Sequence, residues 1–264
     1  MTLPLHGKTI VNTRAIHQVA DFDVLIRERG AIPVSFPCIA IVPPDDTTEW
    51  DAAIQQLIAG AFDWLILTST NTVYSLSQRL KALELSLRGN FKTAAIGPST
   101  ADAARTQLGI EVDLMPDEYI AEALAETLLL HGAKHVFLPE SAIARSTLKD
   151  VLVQAGVAFM AVDAYQTVCG SGGIDLPKML RCAEIDAITF TSSSTVDCFI
   201  ERLTTENRSL TLGEVVIACI GPKTAQTAID HDLQVVIVPQ DYTLSGLLDA
   251  IENYYIKDLG KQTS

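Results

Sequence analysis

Two stretches of this chain, 123 residues apart (Asp63 to Asp186), carry nearly the same sequence. Residues 62–73 read FDWLILTSTNTV and residues 185–196 read IDAITFTSSSTV. Their alignment places Thr68 on Thr191, Ser69 on Ser192, Thr72 on Thr195 and Val73 on Val196. The likeness continues downstream. AAIGPSTA at 94–101 matches ACIGPKTA at 218–225, and Pro116 with Tyr119 matches Pro239 with Tyr242. A period of nearly half the chain is too long for a solenoid unit, which spans about 20–50 residues. The repeat therefore predicts two similar domains, and a cleft between them as the ligand site.

Composition agrees with that reading. A chain of 264 residues that is 48% hydrophobic can build two cores, whereas disorder needs the opposite balance. No apolar run reaches the roughly 18–20 residues of a membrane span. The start, MTLPLHGKTIVNTR, lacks the pattern of a signal peptide. The expectation is a cytoplasmic protein; an organellar protein that has lost a transit peptide is the alternative. Five cysteines with no CxxC spacing predict reduced, mostly buried thiols. Cys219, inside the strand-like run VVIACIG, reads as core. A net charge of −13 argues against nucleic acid and anionic membranes as partners. An anionic ligand would need local donors to overcome that background.

Short β-rich runs alternate with helical ones. Strands are expected at 8–13, 64–68, 93–97 and 135–140, and in AITFT, VVIACIG and VVIVP. Helices are expected at 15–30, 47–60 (capped by Thr47 or Thr48), 99–109, 119–133 and 145–156, and after Ser69. Residues 31–42 and 157–168 read as extended, Pro33 and Pro37 barring a helix from the first. Strands of about five apolar residues separated by helices mark parallel α/β domains. KTIVNTR from Lys8 also matches KHVFLPE from Lys134. GSGGID at 170–175 reads as an interdomain linker, since it lacks the G-x-G-x-x-G pattern.

Open parallel sheets bind ligands beyond the carboxyl ends of their strands. The repeats put four polar turns there: Thr68-Ser69-Thr70-Asn71, Gly97-Pro98-Ser99-Thr100, Thr191-Ser192-Ser193-Ser194 and Gly221-Pro222-Lys223-Thr224. Each opens a helix, where hydroxyls and free N–H groups hold carboxylates or phosphates. Plain helix capping is the competing reading. Arg14 and Arg145 follow predicted strands and would pair with carboxylates, against the alternative of solvated arginines. His131 ends a helix and His135 enters a strand, so no metal site is expected. Walker A, G-x-S-x-G and HExxH patterns are absent. Tyr165, on the run that leaves one domain for the other, is placed to donate a proton, unless it only packs.

Together these pieces resemble the uroporphyrinogen-III synthase family over essentially the whole chain. The resemblance rests on Thr13-Arg14, the TSTN and TSSS turns, the two IGPxT segments and the spacing of Arg145, Leu148, Leu152 and Gly156. It also includes Ala164-Tyr165-Gln166-Thr167 and Pro239 with Tyr242-Thr243. It implies an α/β fold of two flavodoxin-like or Rossmann-like parallel-sheet domains joined by a two-stranded β connector. Mapped here, domain one is 1–36 plus 170–264 and domain two 37–169, with 31–42 and 157–168 as connectors. The implied reaction is a lyase's: cyclisation of hydroxymethylbilane to uroporphyrinogen III, with loss of water and D-ring inversion. The substrate carries eight carboxylates, no metal or cofactor is implied, and a monomer is expected. By the same resemblance Tyr165 matches the tyrosine proposed to assist departure of the hydroxyl group. Thr224, Ser192 and Ser194 match positions of the family's cleft. Lys223 and Thr72 depart from it, standing where small, polar or acidic residues and alanine are common. The alternatives are a non-catalytic two-domain binder of an anionic small molecule and a flavin or dinucleotide protein.

Overall fold

The structure is a computed structural model that describes residues 3–143, 146–205 and 212–262, the side chains of 258–262 aside. In chain order the strands are β1 Thr9–Asn12, β2 Ile32–Ser35, β3 Ile39–Val42, β4 Trp64–Leu67, β5 Lys92–Ala95, β6 His135–Ser141, β7 Ala158–Cys169, β8 Ala187–Phe190, β9 Val216–Cys219 and β10 Val235–Ile237. The helices are α1 Val19–Glu28, α2 Thr48–Ile58, α3 Thr70–Ala82, α4 Pro98–Ala103, α5 Ala121–Leu130, α6 Thr147–Gln154, α7 Leu176–Arg181, α8 Ser193–Thr205, α9 Pro222–Asp230 and α10 Leu244–Gln262. The chain divides into two compact units: Met1–Ala40 with Thr167–Ser264, and Ile41–Gln166.

Each unit is built on a five-stranded sheet. The first has the order β10-β9-β8-β1-β2 and the second β3-β7-β6-β4-β5. The pairs β1 with β2 and β8, β8 with β9, and β9 with β10 are parallel, as are β4 with β5 and β6, and β6 with β7. The repeated sequences occupy matching places: β9-β8-β1-β2 in one sheet corresponds to β5-β4-β6-β7 in the other. The correspondence extends one position further. Ile237 of β10 pairs with Ala218, and Leu114, its repeat partner, makes a parallel bridge to Ala94. β1 thus stands where β6 stands in the other unit, although it comes first in the chain. Counted within its own unit, the first sheet has the flavodoxin order 2-1-3-4-5, whose switch point lies between β1 and β8.

Burial explains why β1 sits inside the sheet. Ile10 and Val11 are both fully buried, one on each face. Val11, Ile188, Phe190, Phe199 and Ile217 form the core on one side; Ile10, Phe22, Ile26, Ala187 and Leu247 form it on the other. The second unit repeats the alternation, with Leu65, Leu67 and Phe137 on one face and Trp64, Ile66, Val136 and Leu138 on the other. Strands with helices on both faces carry apolar residues toward both, as the centres of these strands do.

Several sequence expectations are corrected. The run 31–42 is two strands in different sheets, β2 in one unit and β3 at the edge of the other. GSGGID does not lie between the units. It packs inside the first, where Gly170 N–H donates to Cys38 O at 2.7 Å and Ile174 N–H to Ser35 O at 2.9 Å. A Cβ on Gly170 would stand 2.6 Å from Pro37 O, and one on Gly173 2.4 Å from Ser35 O, so glycine is there for close backbone approach. It leads into α7, which was not expected and which Asp175 caps through Lys178 N–H. Thr47 occupies the N-cap position of α2 but makes no side-chain cap bond. The helix at 99–109 is α4 followed by a π-turn, Ala104–Leu108, closed by left-handed Gly109. The thiol expectation fails in part. Cys169 and Cys198 form a disulfide, their Cα atoms 5.1 Å apart, and Cys182 is exposed. The two partners are 29 residues apart in sequence and share no motif; folding alone brings the end of β7 to α8. Cys219 is core as expected, and burial pushes its thiol up to about 12.

Candidate active site

In the Ile41–Gln166 unit, β4 and β5 are adjacent and end together; Ile96 N–H donates to Leu67 O at 3.0 Å. The turns Thr68–Asn71 and Gly97–Thr100 therefore lie side by side at one edge of this sheet. Ser69 is the N-cap of α3 and accepts from Thr72 N–H at 3.0 Å. Its Oγ also lies 2.9 Å from Thr72 Oγ1 and 3.3 Å from the Tyr165 hydroxyl. Tyr165 is buried, its ring packed in the core with Val162 and Ala164 of its own strand. One turn into α3, Ser75 Oγ donates to Ala164 O at 2.5 Å, tying the helix to the residue before the tyrosine. Two elements, α3 with its N-cap and β7, thus meet at the Ser69 and Tyr165 hydroxyls, although these residues are 96 apart in sequence.

In the other unit, β1, β8 and β9 are neighbours and end together; Ile220 N–H donates to Phe190 O at 2.9 Å. Ser192 and Thr195 lock one another. Ser192 Oγ accepts from Thr195 N–H at 3.3 Å, and Thr195 Oγ1 donates to Ser192 O at 2.6 Å. Ser192 Oγ and Ser194 Oγ are 3.0 Å apart. Ser193 Oγ reaches toward Lys223 O at 3.5 Å and accepts from Thr227 Oγ1 at 2.8 Å, so the β8 and β9 turns are joined. Thr224 is buried at the start of α9, while Lys223 is exposed. Arg14 follows β1, and its backbone N–H donates to Asn12 Oδ1 at 3.1 Å. Its Nε is buried without a hydrogen-bond partner. Burial lowers the pKa of its guanidinium, and the Asp21 carboxylate opposes that shift. A largely desolvated cation with an open donor suits a carboxylate.

In each GPxT turn a tyrosine ring lies over the glycine, closely enough to exclude a side chain at Gly97 and in ordinary contact at Gly221. Gly97 and Gly221 have extended backbones that any residue could adopt. A Cβ on Gly97 would come within 3.2 Å of the Tyr119 ring, and one on Gly221 within 3.6 Å of Tyr242. Both tyrosines are more than half exposed and lie over their own turns, so the pairs Pro116 with Tyr119 and Pro239 with Tyr242 are repeated for a contact.

The structure thus groups Thr68, Ser69, Asn71, Gly97, Ser99, Thr100 and Tyr165 in one unit, and Arg14, Thr191, Ser192, Ser193, Ser194, Gly221, Lys223 and Thr224 in the other. Arg145 lies outside the described residues. Thr72, Thr195 and Asn12 were not picked as site residues, yet each is fully buried and fixes one that was. The matched pair Thr72 and Thr195 was visible in the repeat. Surface grooves lie elsewhere: one of about 470 Å³ between residues 236–241 and α10, one of about 350 Å³ between the end of α3 and Gln107–Gly109, and one of about 290 Å³ beside Trp50 and Tyr74. No residue of the four turns lines any of these.

The model of the family described as uroporphyrinogen-III synthase HemD matches residues 20–249. The chain belongs to the uroporphyrinogen-III synthase family. It is 35% identical to the uroporphyrinogen-III synthase of Synechococcus elongatus over 95% of its own length and 97% of that protein. Membership makes it an enzyme of tetrapyrrole biosynthesis that acts on a small-molecule substrate. The fold agrees. The uroporphyrinogen-III synthetase structure from Helicobacter pylori covers 94% of the chain with a TM-score of 0.58 at 16% identity. That of a mutant uroporphyrinogen III synthase from Thermus thermophilus covers 95% with a TM-score of 0.55 at 19%. No described helix is long and apolar enough to cross a membrane.

Proposed function

We propose that the chain cyclises hydroxymethylbilane to uroporphyrinogen III as a lyase, losing water and inverting ring D, and does so as a cytoplasmic monomer. The observation that carries the mechanism is the contact of the Tyr165 hydroxyl with Ser69, whose own oxygen is held by Thr72 N–H. In this reading Tyr165 O–H donates its proton to the departing hydroxyl group, which leaves as water. Ser69 then sits beside the phenolate, where its hydroxyl stabilises the charge. A methylene cation conjugated with the terminal pyrrole is left, ring D at the far end of the chain attacks it once the two ends are held together, and the proton that ring D finally loses returns to the Tyr165 phenolate.

The eight carboxylates of the substrate match the doubled donor set. Each unit offers hydroxyls and N–H groups at the ends of neighbouring strands, and the first adds Arg14 and Lys223. Such local donors are needed in a chain of net charge −13, whose overall field repels an anion. The test is the isomer produced. Purified protein given hydroxymethylbilane should release the type III isomer. Release of the spontaneous type I isomer alone would end the proposal.

A further inference from the structure

We propose that Cys169 and Cys198 form a thiol–disulfide exchange site, which latches the end of strand β7 to helix α8 and is opened by a dithiol reductant. The placement of the pair carries the argument. The chain crosses between its two units at Ala40 to Ile41 and at Gln166 to Thr167. Cys169, the last residue of β7, lies three residues past the second crossing and four past Tyr165. Its disulfide partner Cys198 is on α8, the helix that opens on the Ser192–Ser194 turn.

The same face of α8 holds the chain beside the first crossing. Arg202, one turn after Cys198, donates from Nη1 to Pro37 O at 2.6 Å and from Nη2 to Gly172 O at 2.9 Å. Its guanidinium lies 3.7 Å from the centroid of the Phe36 ring. The arginine contacts have no redox chemistry. The sulfur contact is the one that chemistry can switch.

Three features suit that role. The backbone pairing of the unit's sheet does not involve the cross-link, and Cys198 packs in the core through its side chain whether or not the bond is closed. Cys169 is only half-buried and adjoins exposed Glu201, so a reductant can reach its sulfur, whereas Cys198 is buried. Accessible disulfides are the ones that exchange. The reduced state is also provided for. Glu201 Oε2 lies 3.2 Å from Cys169 Sγ, a hydrogen bond that exists only when the sulfur carries a proton.

The step balances as follows. A thiolate of a thioredoxin-class dithiol attacks Cys169 Sγ and forms a mixed disulfide. The Cys169–Cys198 bond breaks, and Cys198 leaves with the electron pair and takes a proton. The second thiol of the reductant then displaces Cys169, which is protonated against Glu201. Two electrons and two protons pass to the chain, and the reductant ends as its own disulfide. Exchange with an oxidised dithiol runs the reverse.

The test uses the full chain, treated with diamide or with thioredoxin, its reductase and NADPH, then alkylated without denaturant. Peptide mapping should recover a cross-linked Cys169–Cys198 peptide after oxidation; after reduction, Cys169 should carry the native alkyl label and buried Cys198 a second label added in denaturant once the reductant is removed. Amide exchange at 163–173 should be faster in the reduced form. The two forms should differ in turnover by about threefold or more, and Cys198→Ala should abolish that difference. Cys169→Ser serves if the first variant does not fold. A disulfide that forms but opens only in denaturant would overturn the latch. So would stoichiometric zinc on the two thiols in place of the bond, or redox forms with equal exchange and equal turnover. The turnover arm rests on the proposed reaction. If neither form makes uroporphyrinogen III, that reaction fails, while mapping and amide exchange still decide the latch.

Discussion

At the scale of single residues, the site is a set of short hydroxyl contacts assembled from distant positions. Ser69 and Tyr165 are 96 residues apart and meet at 3.3 Å. Replacing Tyr165 by Phe removes the donor and leaves the ring in its core. Turnover of hydroxymethylbilane should fall by about a hundredfold, while the dissociation constant for the product stays within about threefold. An unchanged rate in a stopped-flow assay would remove the proton-donor role and leave Tyr165 as packing. The turns themselves were legible in the sequence because they occur twice in the same order. Their partners were not, since nothing local in DAYQTV points to Ser69. The role of Gly97 was equally hidden, because it depends on a tyrosine ring that folding lays over it.

At the scale of elements, alternating apolar runs were enough to place most strands and helices. They failed where two neighbouring segments answer to different sheets. Residues 31–42 looked like one extended run because β2 and β3 are both apolar and only Phe36–Cys38 separates them. GSGGID looked like a flexible linker because glycine is the usual mark of one. Its glycines instead let two backbones touch, and this can be tested by substitution. Gly173→Ala forces a side chain onto φ +86 and a Cβ to 2.4 Å from Ser35 O. It should cost about 3 kcal/mol or more. Gly132→Ala is the control, with φ +71 but no atom within 4 Å. It should cost about 1–2 kcal/mol. Equal losses in chemical denaturation would return 170–175 to the status of a tolerant linker.

At the scale of the molecule, the two units differ in how the chain builds them. Ile41–Gln166 is continuous, and β4, β5, β6 and most of β7 lie within it. The other unit needs β1, between β8 and β2, from the far end of the chain. A fragment of residues 41–166 should therefore unfold cooperatively by circular dichroism on its own. A fragment of residues 167–264 should not, until a peptide spanning 1–40 is supplied. Cooperative unfolding of 167–264 alone would show that β1 is dispensable and that its central place is not a source of stability. The sequence by itself determined the α/β class, the duplication, the four polar turns and the family, since these are written in local periodicity and repeated motifs. The resemblance already implied that the first strand joins the last unit; only the tertiary structure decided that β1 stands between β8 and β2, that Tyr165 meets Ser69, and that Cys169 is joined to Cys198. Those are pairings between distant segments, chosen by which apolar faces and backbone edges can be satisfied together, and no local pattern encodes that choice.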